Sequence, residues 1–202
     1  MNPTTFHLIR HASYDLLGRT LTGRSPGHRL NERGRAQAQA LAEELAAHAI
    51  ATVVSSPLER TRETAEVVAK PLGLAVEIDP ELTEIDCGEW TGMSFDAMRG
   101  DPVWKEFHTF RSTLSPPGGE TMLAAQLRAI GVVTRLRERR PGQEVVVVTH
   151  GDVVKVVLAH FLGVPLDLFQ RIDISPASRS VVRLFATDVR VDGVNLPPRA
   201  SR

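Results

Sequence analysis

Cysteine is almost missing from this chain of 202 residues: Cys87 stands alone. No disulfide forms within the chain, and no zinc site can be built from cysteines. Excess charge of either sign is also missing, because 24 basic residues balance 24 acidic ones. General binding to nucleic acid or to an acidic membrane rests on surplus positive charge, so neither partner is expected. A single small anion is not excluded, since it needs only a local cluster. No apolar run approaches the roughly 18 residues that cross a bilayer. Met1-Asn2-Pro3 opens no charged region and apolar stretch of the secretory kind, and a cytoplasmic location is expected. Repeats and low-complexity tracts are absent as well.

What is present is an ordinary globular composition, with 42% hydrophobic and 24% charged residues. The length suits one domain over residues 1–202, and such a chain buries roughly 70% of its unfolded surface.

Periodicity organises that domain. "TFHLIR" (Thr5–Arg10) reads as a short buried strand. "NERGRAQAQALAEELAAHAI" reads as a helix capped by Asn31, with Ala38, Leu41, Ala42, Leu45 and Ala49 on one stripe. "ATVVSS" is a second strand. "PLERTRETAEVVAKPLG" is a second helix, with Ser56 at its N-cap, Pro57 in its first turn and Gly73 past its end. "LAVEID" is a third strand. The turn "PPGGE" introduces the helix "TMLAAQLRAIGVVTRLRERR", whose arginine-rich end is a solvated last turn. "EVVVVT" (Glu144–Thr149) has the continuous apolar character of a central parallel strand. "GDVVKVVLAHFLG" is the next helix, and "SVVRLFATD" and "VRVDGVNL" close the chain as strands. Strands alternating with helices imply a parallel sheet covered on both faces. Residues 195–202 are expected to form a disordered tail.

In parallel sheets, sites lie beyond the carboxyl ends of the strands. The first strand ends in Arg10-His11. The second ends in Ser55-Ser56 and opens a helix carrying Arg60. The "EVVVVT" strand ends in His150-Gly151. Two histidines and two arginines therefore meet at one sheet edge, near a helix N-terminus with unpaired N–H groups. Such a set suits a compact, highly charged anion. Phosphate is the obvious one, since arginine forks match its oxygens. A lone histidine at a strand end is usually structural, and a lone arginine usually solvated; convergence of four groups changes that. His7, His28, His48, His108 and His160 have no comparable context.

The segments "LIRHAS", "LNERGRAQAQALAEEL", "VVSSPLERTRETAE", "LTEIDCGEWTG" and "VVVVTHGD" occur in the order and spacing of the histidine phosphatase superfamily, the phosphoglycerate-mutase-like fold. The resemblance runs from Thr5 to about Leu184. It implies a three-layer α/β/α sandwich with a mostly parallel central sheet. It also implies roles. His11 matches the nucleophile. Arg10, Arg60 and His150 match the phosphate pocket. Glu84 matches the acidic residue that donates a proton. Thr22 and Gly23 resemble a loop closing over the phosphate. The activity implied is that of a histidine acid phosphatase-type phosphomonoesterase, with no cofactor and no metal. Its partners would be a small phosphorylated metabolite and the inorganic phosphate it releases.

Chemistry agrees with those roles. An imidazole of ordinary pKa, about 6.5, offers a neutral nitrogen near pH 7. Its other nitrogen needs an acceptor, such as a backbone carbonyl, to fix the tautomer. Attack on phosphorus gives a phosphohistidine and splits hydrolysis into two easier steps. Arg10, Arg60 and a protonated His150 would hold the equatorial oxygens. Glu84 would protonate the leaving alkoxide and then take a proton from water. Asp86 and Glu89 compete for that role from the same loop. Trp90 reads as packing. A cysteine-phosphatase reading of Cys87 needs an arginine six positions on, where Met93 stands. Asp152 could pair with His150 on a metal, but the clustered aspartates and further histidines of metallophosphatases are not here.

The chain departs from the commonest family pattern in three places. Ala12 follows Arg-His where glycine is usual. Asp152 gives "HGD" in place of "HGG" and lies near the rim, where two readings are open, substrate contact or a cap of the following helix, the cap being favoured. The arginine-rich insertion of phosphoglycerate mutases is not recognisable; Met93–Pro117 is short and mixed, with Arg99, Trp104, Lys105, Phe107, His108 and Arg111, and is expected to cover the pocket. That difference favours hydrolysis over a mutase-type isomerisation. A non-catalytic phospho-ligand binder is the third reading, and retention of His11, His150, Arg10, Arg60 and Glu84 counts against it. No motif names the substrate, and a homodimer is left open.

Overall fold

The computed structural model describes residues 2–198. Six strands form one sheet: β1 (Thr4–Arg10), β2 (Ile50–Ser55), β3 (Val76–Ile78), β4 (Glu144–Thr149), β5 (Arg179–Leu184) and β6 (Val189–Leu196), in the order β3-β2-β4-β1-β5-β6. β1, β2, β3 and β4 are parallel, while β5 and β6 add an antiparallel hairpin beside β1. The sheet is thus mostly parallel, as expected.

Apolar residues on both strand faces make the three layers. Phe6, Leu8, Val145 and Val147 pack with the helices α5 (Met122–Arg139) and α6 (Gly151–Leu162). Ile9, Val53, Val146 and Val148 pack with α1 (Glu32–Leu45) and α2 (Glu59–Leu72). A strand buried on both faces has no place for polar alternation, which is why Val145–Val148 of β4 is a continuous apolar run, while His7, the polar side chain between Phe6 and Leu8 of β1, is buried and paired with Glu144.

Local chemistry sets the helix ends. Asn31 caps α1 by accepting from the Gly34 N–H at 2.9 Å. The helix stops at Leu45 rather than reaching Ile50, because Ile50 already pairs with Glu144 as the start of β2. Gly73 ends α2 in the left-handed conformation, at φ 67°. The start of α2 corrects the sequence expectation. Leu58, not Ser56, is its N-cap, and no side chain caps it. Ser56 spends its hydroxyl elsewhere.

The segment 93–117 forms two short helices, α3 (Phe95–Met98) and α4 (Pro102–Thr109). Met93, Phe95, Trp104 and Leu114 lie against the α5–α6 side of the core. The expected tail at 195–202 is shorter than it reads: Asn195 and Leu196 belong to β6, and Asn195 accepts the Ser175 N–H at 2.6 Å. Residues 199–202 of that expectation lie outside the described residues. No helix among the described residues is long and apolar enough to cross a membrane.

Candidate active site

β4 lies between β1 and β2, so the carboxyl ends of all three deliver their side chains to one edge. The His11 N–H continues the ladder past β1 by donating to Thr149 O at 2.8 Å. The His11 ring is held as well: Nδ1 stands 2.8 Å from Ala12 O. A carbonyl only accepts, so the proton sits on Nδ1 and the lone pair on Nε2. Burial, and the charges of Arg60 and Arg10, hold the His11 pKa well below its ordinary 6.5. The ring is therefore neutral and presents a bare nitrogen. It borders a cavity of about 200 Å³ shared with Arg10, Tyr14, Thr22, Gly23, Glu84 and Asp152. That volume suits a compact ligand.

The two arginines are short of partners. Arg10 gives Nη1 to Ile174 O at 2.6 Å, but its buried Nε has no partner. Arg60 is 1% exposed. It gives Nη2 to Gly23 O at 2.7 Å, while Nε and Nη1 have none. Burying cationic N–H groups unpaired is costly unless an anion completes them. Arg60 and His150 do not line the open volume; they are buried beside it, with the His150 ring centroid 5.3 Å from that of His11.

Burial and the Arg60 charge hold the His150 pKa well below 6.5, which disfavours the protonated form expected from the sequence. Its Nε2 lies 2.8 Å from Ser56 Oγ, which is where the hydroxyl expected at the α2 cap has gone. With Ser56 donating, the His150 proton sits on Nδ1, which has no hydrogen-bond partner and stands 3.8 Å from Glu84 Oε2. A neutral N–H donor serves an anion without the cost of a second buried charge.

Glu84 is held by its own loop. Oε1 accepts the Ile85 N–H at 2.9 Å. Burial first, and then the Asp152 charge, raise its pKa from 4.5 to about 7. Its backbone carbonyl accepts from Arg24 Nε at 2.8 Å and from Arg128 Nη2 at 3.2 Å. Glu120 joins those two arginines, at 3.0 Å from Arg24 Nη2 and 2.8 Å from Arg128 Nε. The turn carrying Glu120 lies back to back with the Glu84 loop. Glu89 N–H donates to Pro117 O and Glu120 N–H to Asp86 O, both at 2.9 Å. A Cβ on Gly88 would meet Pro117 O at 2.1 Å, so only glycine fits that approach.

The competitors of Glu84 are otherwise engaged. Asp86 accepts the Gly88 N–H at 3.0 Å and meets Arg24, and Glu89 is exposed; neither lines the cavity. Cys87 does line it, but burial pushes its thiol up to about 12, so it stays protonated. Trp90 packs edge-on against Trp104 and Phe107. Asp152 does not cap α6: His150 is the N-cap residue, with no side-chain cap bond. Thr22 and Gly23 both reach the cavity, Thr22 through a 2.8 Å contact of its hydroxyl with Tyr14 OH.

Several cavity residues have no clear signal in the sequence. Tyr14 sits three positions past His11, and its ring lies 5.5 Å from the Arg60 guanidinium carbon. Lys155 lines the cavity one helical turn after Asp152. His7, His48 and Glu144 form a compact group capable of holding a metal, but Arg179 Nη1 points at His7 Nδ1 from 3.0 Å. That ring nitrogen therefore accepts, leaving the proton on Nε2, the atom a metal would need bare.

Fold and site define an α/β protein with a buried pocket lined by cationic and histidine side chains, and comparisons with known proteins place it in a family. The family model of the histidine phosphatase superfamily (branch 1) matches residues 6–197, and the chain belongs to that superfamily. It is 35% identical over 188 residues to the bifunctional protein Rv2228c of Mycobacterium tuberculosis, covering 91% of this chain but 51% of that protein. The chain thus spans about half the length of that relative. It is 33% identical over 185 residues to phosphoserine phosphatase 1 of Hydrogenobacter thermophilus, covering 88% of this chain and 85% of that one. Among solved structures it is similar to a mycobacterial glucosyl-3-phosphoglycerate phosphatase, Rv2419c, in complex with VO3. The TM-score is 0.87 at 27% identity, covering 96% of this chain and 99% of that one.

Proposed function

We propose that this chain is a phosphomonoester hydrolase for small phosphorylated metabolites, working without a metal through a phosphohistidine on His11. The observation that carries the reading is the His11 ring. Nδ1 is committed to Ala12 O, and Nε2 is left bare among arginine N–H groups that have no partner. The phosphatases named among the relatives support the reaction class.

In the first step the Nε2 lone pair attacks phosphorus as the P–O ester bond breaks. The bond pair goes to the leaving oxygen, which takes the Glu84 proton. Arg10, Arg60 and the His150 Nδ1–H bind the three equatorial oxygens, whose charge spreads in the transition state. The imidazolium of phosphohistidine keeps its Nδ1 proton on Ala12 O. In the second step Glu84, now a carboxylate, takes a proton from the attacking water. The N–P bond breaks, its pair returns to Nε2, and inorganic phosphate leaves. Thr22 and Gly23 wall the pocket, and Gly23 also orients Arg60 through its carbonyl.

The test is a phosphate-release screen over a metabolite panel, with isomerisation of 3-phosphoglycerate followed in parallel. Release without isomerisation supports hydrolysis. Isomerisation dominating release makes the chain a mutase, and binding without turnover makes it a phospho-ligand binder.

A further inference from the structure

Beside Glu84, one acidic side chain lines the cavity: Asp152, in the first turn of α6. A carboxylate next to a site for a phosphate dianion repels the ligand, so its presence needs a reason. Its surroundings supply one. Asp152 Oδ2 stands 3.9 Å from Arg111 Nη1, and Oδ1 stands 3.8 Å from Lys155 Nζ. Both cations are in ion-pair range, yet neither is close enough to hydrogen-bond. The Asp152 oxygens accept no hydrogen bond among the described residues, and a third of the side chain, 34%, is exposed.

The two cations hold Asp152 from different sides. Arg111 is 3% exposed, with its guanidinium carbon 4.7 Å from the Phe107 ring centroid and 4.9 Å from that of Phe169. It does not reach the main cavity. It lines a smaller void of about 30 Å³ that shares Leu21, Ile85, Cys87 and Asp152 with the main one. Lys155 reaches the cavity but gives Nζ to Gln170 Oε1 at 2.8 Å. Arg111 and Lys155 thus flank Asp152 without hydrogen-bonding it, and the free acceptors of Asp152 border the volume that a substrate would fill.

Asp152 shares the cavity wall with Glu84, the residue proposed above to protonate the leaving oxygen. When a substrate displaces water from this wall, the substrate must supply a donor, or a carboxylate is left unsatisfied.

We infer that Asp152 selects the alcohol half of the substrate, and that the substrate is the phosphomonoester of a polyol or amino alcohol. A hydroxyl or ammonium next to the ester oxygen donates to Asp152. A carboxylate in that position is repelled by it. This inference rests on the phosphatase reading above.

The test uses four esters of similar size: glycerol 3-phosphate, O-phosphoethanolamine, n-propyl phosphate and 3-phosphoglycerate. The quantity read is the ratio of kcat/KM values within each enzyme, so any general loss in a variant cancels. In the wild type the two donor-bearing esters exceed n-propyl phosphate by on the order of 10–100-fold, the worth of one hydrogen bond to a charged group. In Asp152→Leu that ratio falls towards one. In Asp152→Asn, which keeps size and removes charge, 3-phosphoglycerate gains on glycerol 3-phosphate. A wild type that hydrolyses n-propyl phosphate as well as glycerol 3-phosphate overturns the inference, as does a donor preference that survives Asp152→Leu. Either result leaves the phosphatase reading intact. A wild type that releases phosphate from none of these esters, nor from p-nitrophenyl phosphate, ends both.

Discussion

Gly151 and Arg10 are fitted to each other: a Cβ on Gly151 would stand 3.2 Å from Arg10 Nε and 3.3 Å from its Cζ. That spacing is too tight for comfort but falls on a side chain, which can move by a few tenths of an ångström. Gly151→Ala therefore shifts the Arg10 guanidinium and leaves the sheet alone. Small misplacements of a binding group are costly in a preorganised site. We expect inhibition by inorganic phosphate to weaken by about tenfold, while Tm holds or rises, because alanine favours the helix that Gly151 opens. An unchanged inhibition constant means that Arg10 does not bind the phosphate.

Arg60→Ala removes a buried donor with two unpaired nitrogens. Its cost in turnover is expected on the order of 10²–10³, by analogy with the loss of one oxyanion donor. His11→Ala abolishes the covalent intermediate. Radiolabelled phosphate that still becomes acid-labile and protein-bound in His11→Ala assigns the nucleophile elsewhere.

Metal removal is expected to change nothing. The positive charge needed at the phosphate can come from Arg10 and Arg60, and the donor at His150 needs no ion. Phosphate release is predicted to be the same in excess chelator as without it. A loss restored by a divalent cation would falsify the proposed mechanism and return Asp152 to consideration as a ligand.

The layers of the fold were legible because β4 carries the unbroken apolar run Val145–Val148 and β1 holds Phe6, Leu8 and Ile9, and because Asn31 and Gly73 punctuate helices in ordinary ways. His11, Arg10, Arg60 and His150 were legible as a group because parallel strands must end on one edge. Other features depended on long-range contacts. Ser56 reads as a helix cap, but its hydroxyl goes to His150, 94 residues away. The charge of His150 depends on burial, which its local sequence does not state. Arg24, Glu120 and Arg128 have no shared motif, and only the folded chain brings them to the Glu84 carbonyl. Asp152 looks like a cap by position, whereas Arg111, from the segment 93–117, faces it across 3.9 Å.

Glu84 gives the site its pH behaviour. Its folded pKa of about 7 lies above the ordinary 4.5, because burial disfavours the charged form. As the acid of the first step it must be protonated, so kcat/KM for an alkyl phosphate is expected to fall as pH rises through about 7. Stability carries the same sign. Between pH 4.5 and about 7 the folded chain keeps a proton that the unfolded chain has lost, so this group's contribution declines with rising pH. His11 and His150 oppose it below 6.5, since both are held neutral when folded. The comparison must therefore be made with Glu84→Gln, which leaves the histidines in place. Its Tm should gain on the wild type from pH 4.5 to pH 7.5, a range set by the Glu84 shift. The full effect is on the order of 1–3 kcal/mol. A constant gap in Tm across that range rules out the raised pKa.

The same variant isolates the chemical role of Glu84. A general acid matters most when the leaving group is poor. An aliphatic alkoxide must be protonated as it departs, whereas p-nitrophenolate is stable as an anion. Glu84→Gln removes the proton and keeps the size of the side chain. Phosphoenzyme formation from an alkyl phosphate should slow by on the order of 10²–10⁴, the usual range for acid–base catalysis, and far less from p-nitrophenyl phosphate. Steady-state rates would blur the contrast, because in the proposed mechanism Glu84 also activates the water of the second step. A rapid-quench burst that follows phosphohistidine with each substrate separates the two steps. Equal slowing with both substrates removes Glu84 from the leaving oxygen. Asp86 would then have to release the Gly88 N–H before it could serve in its place.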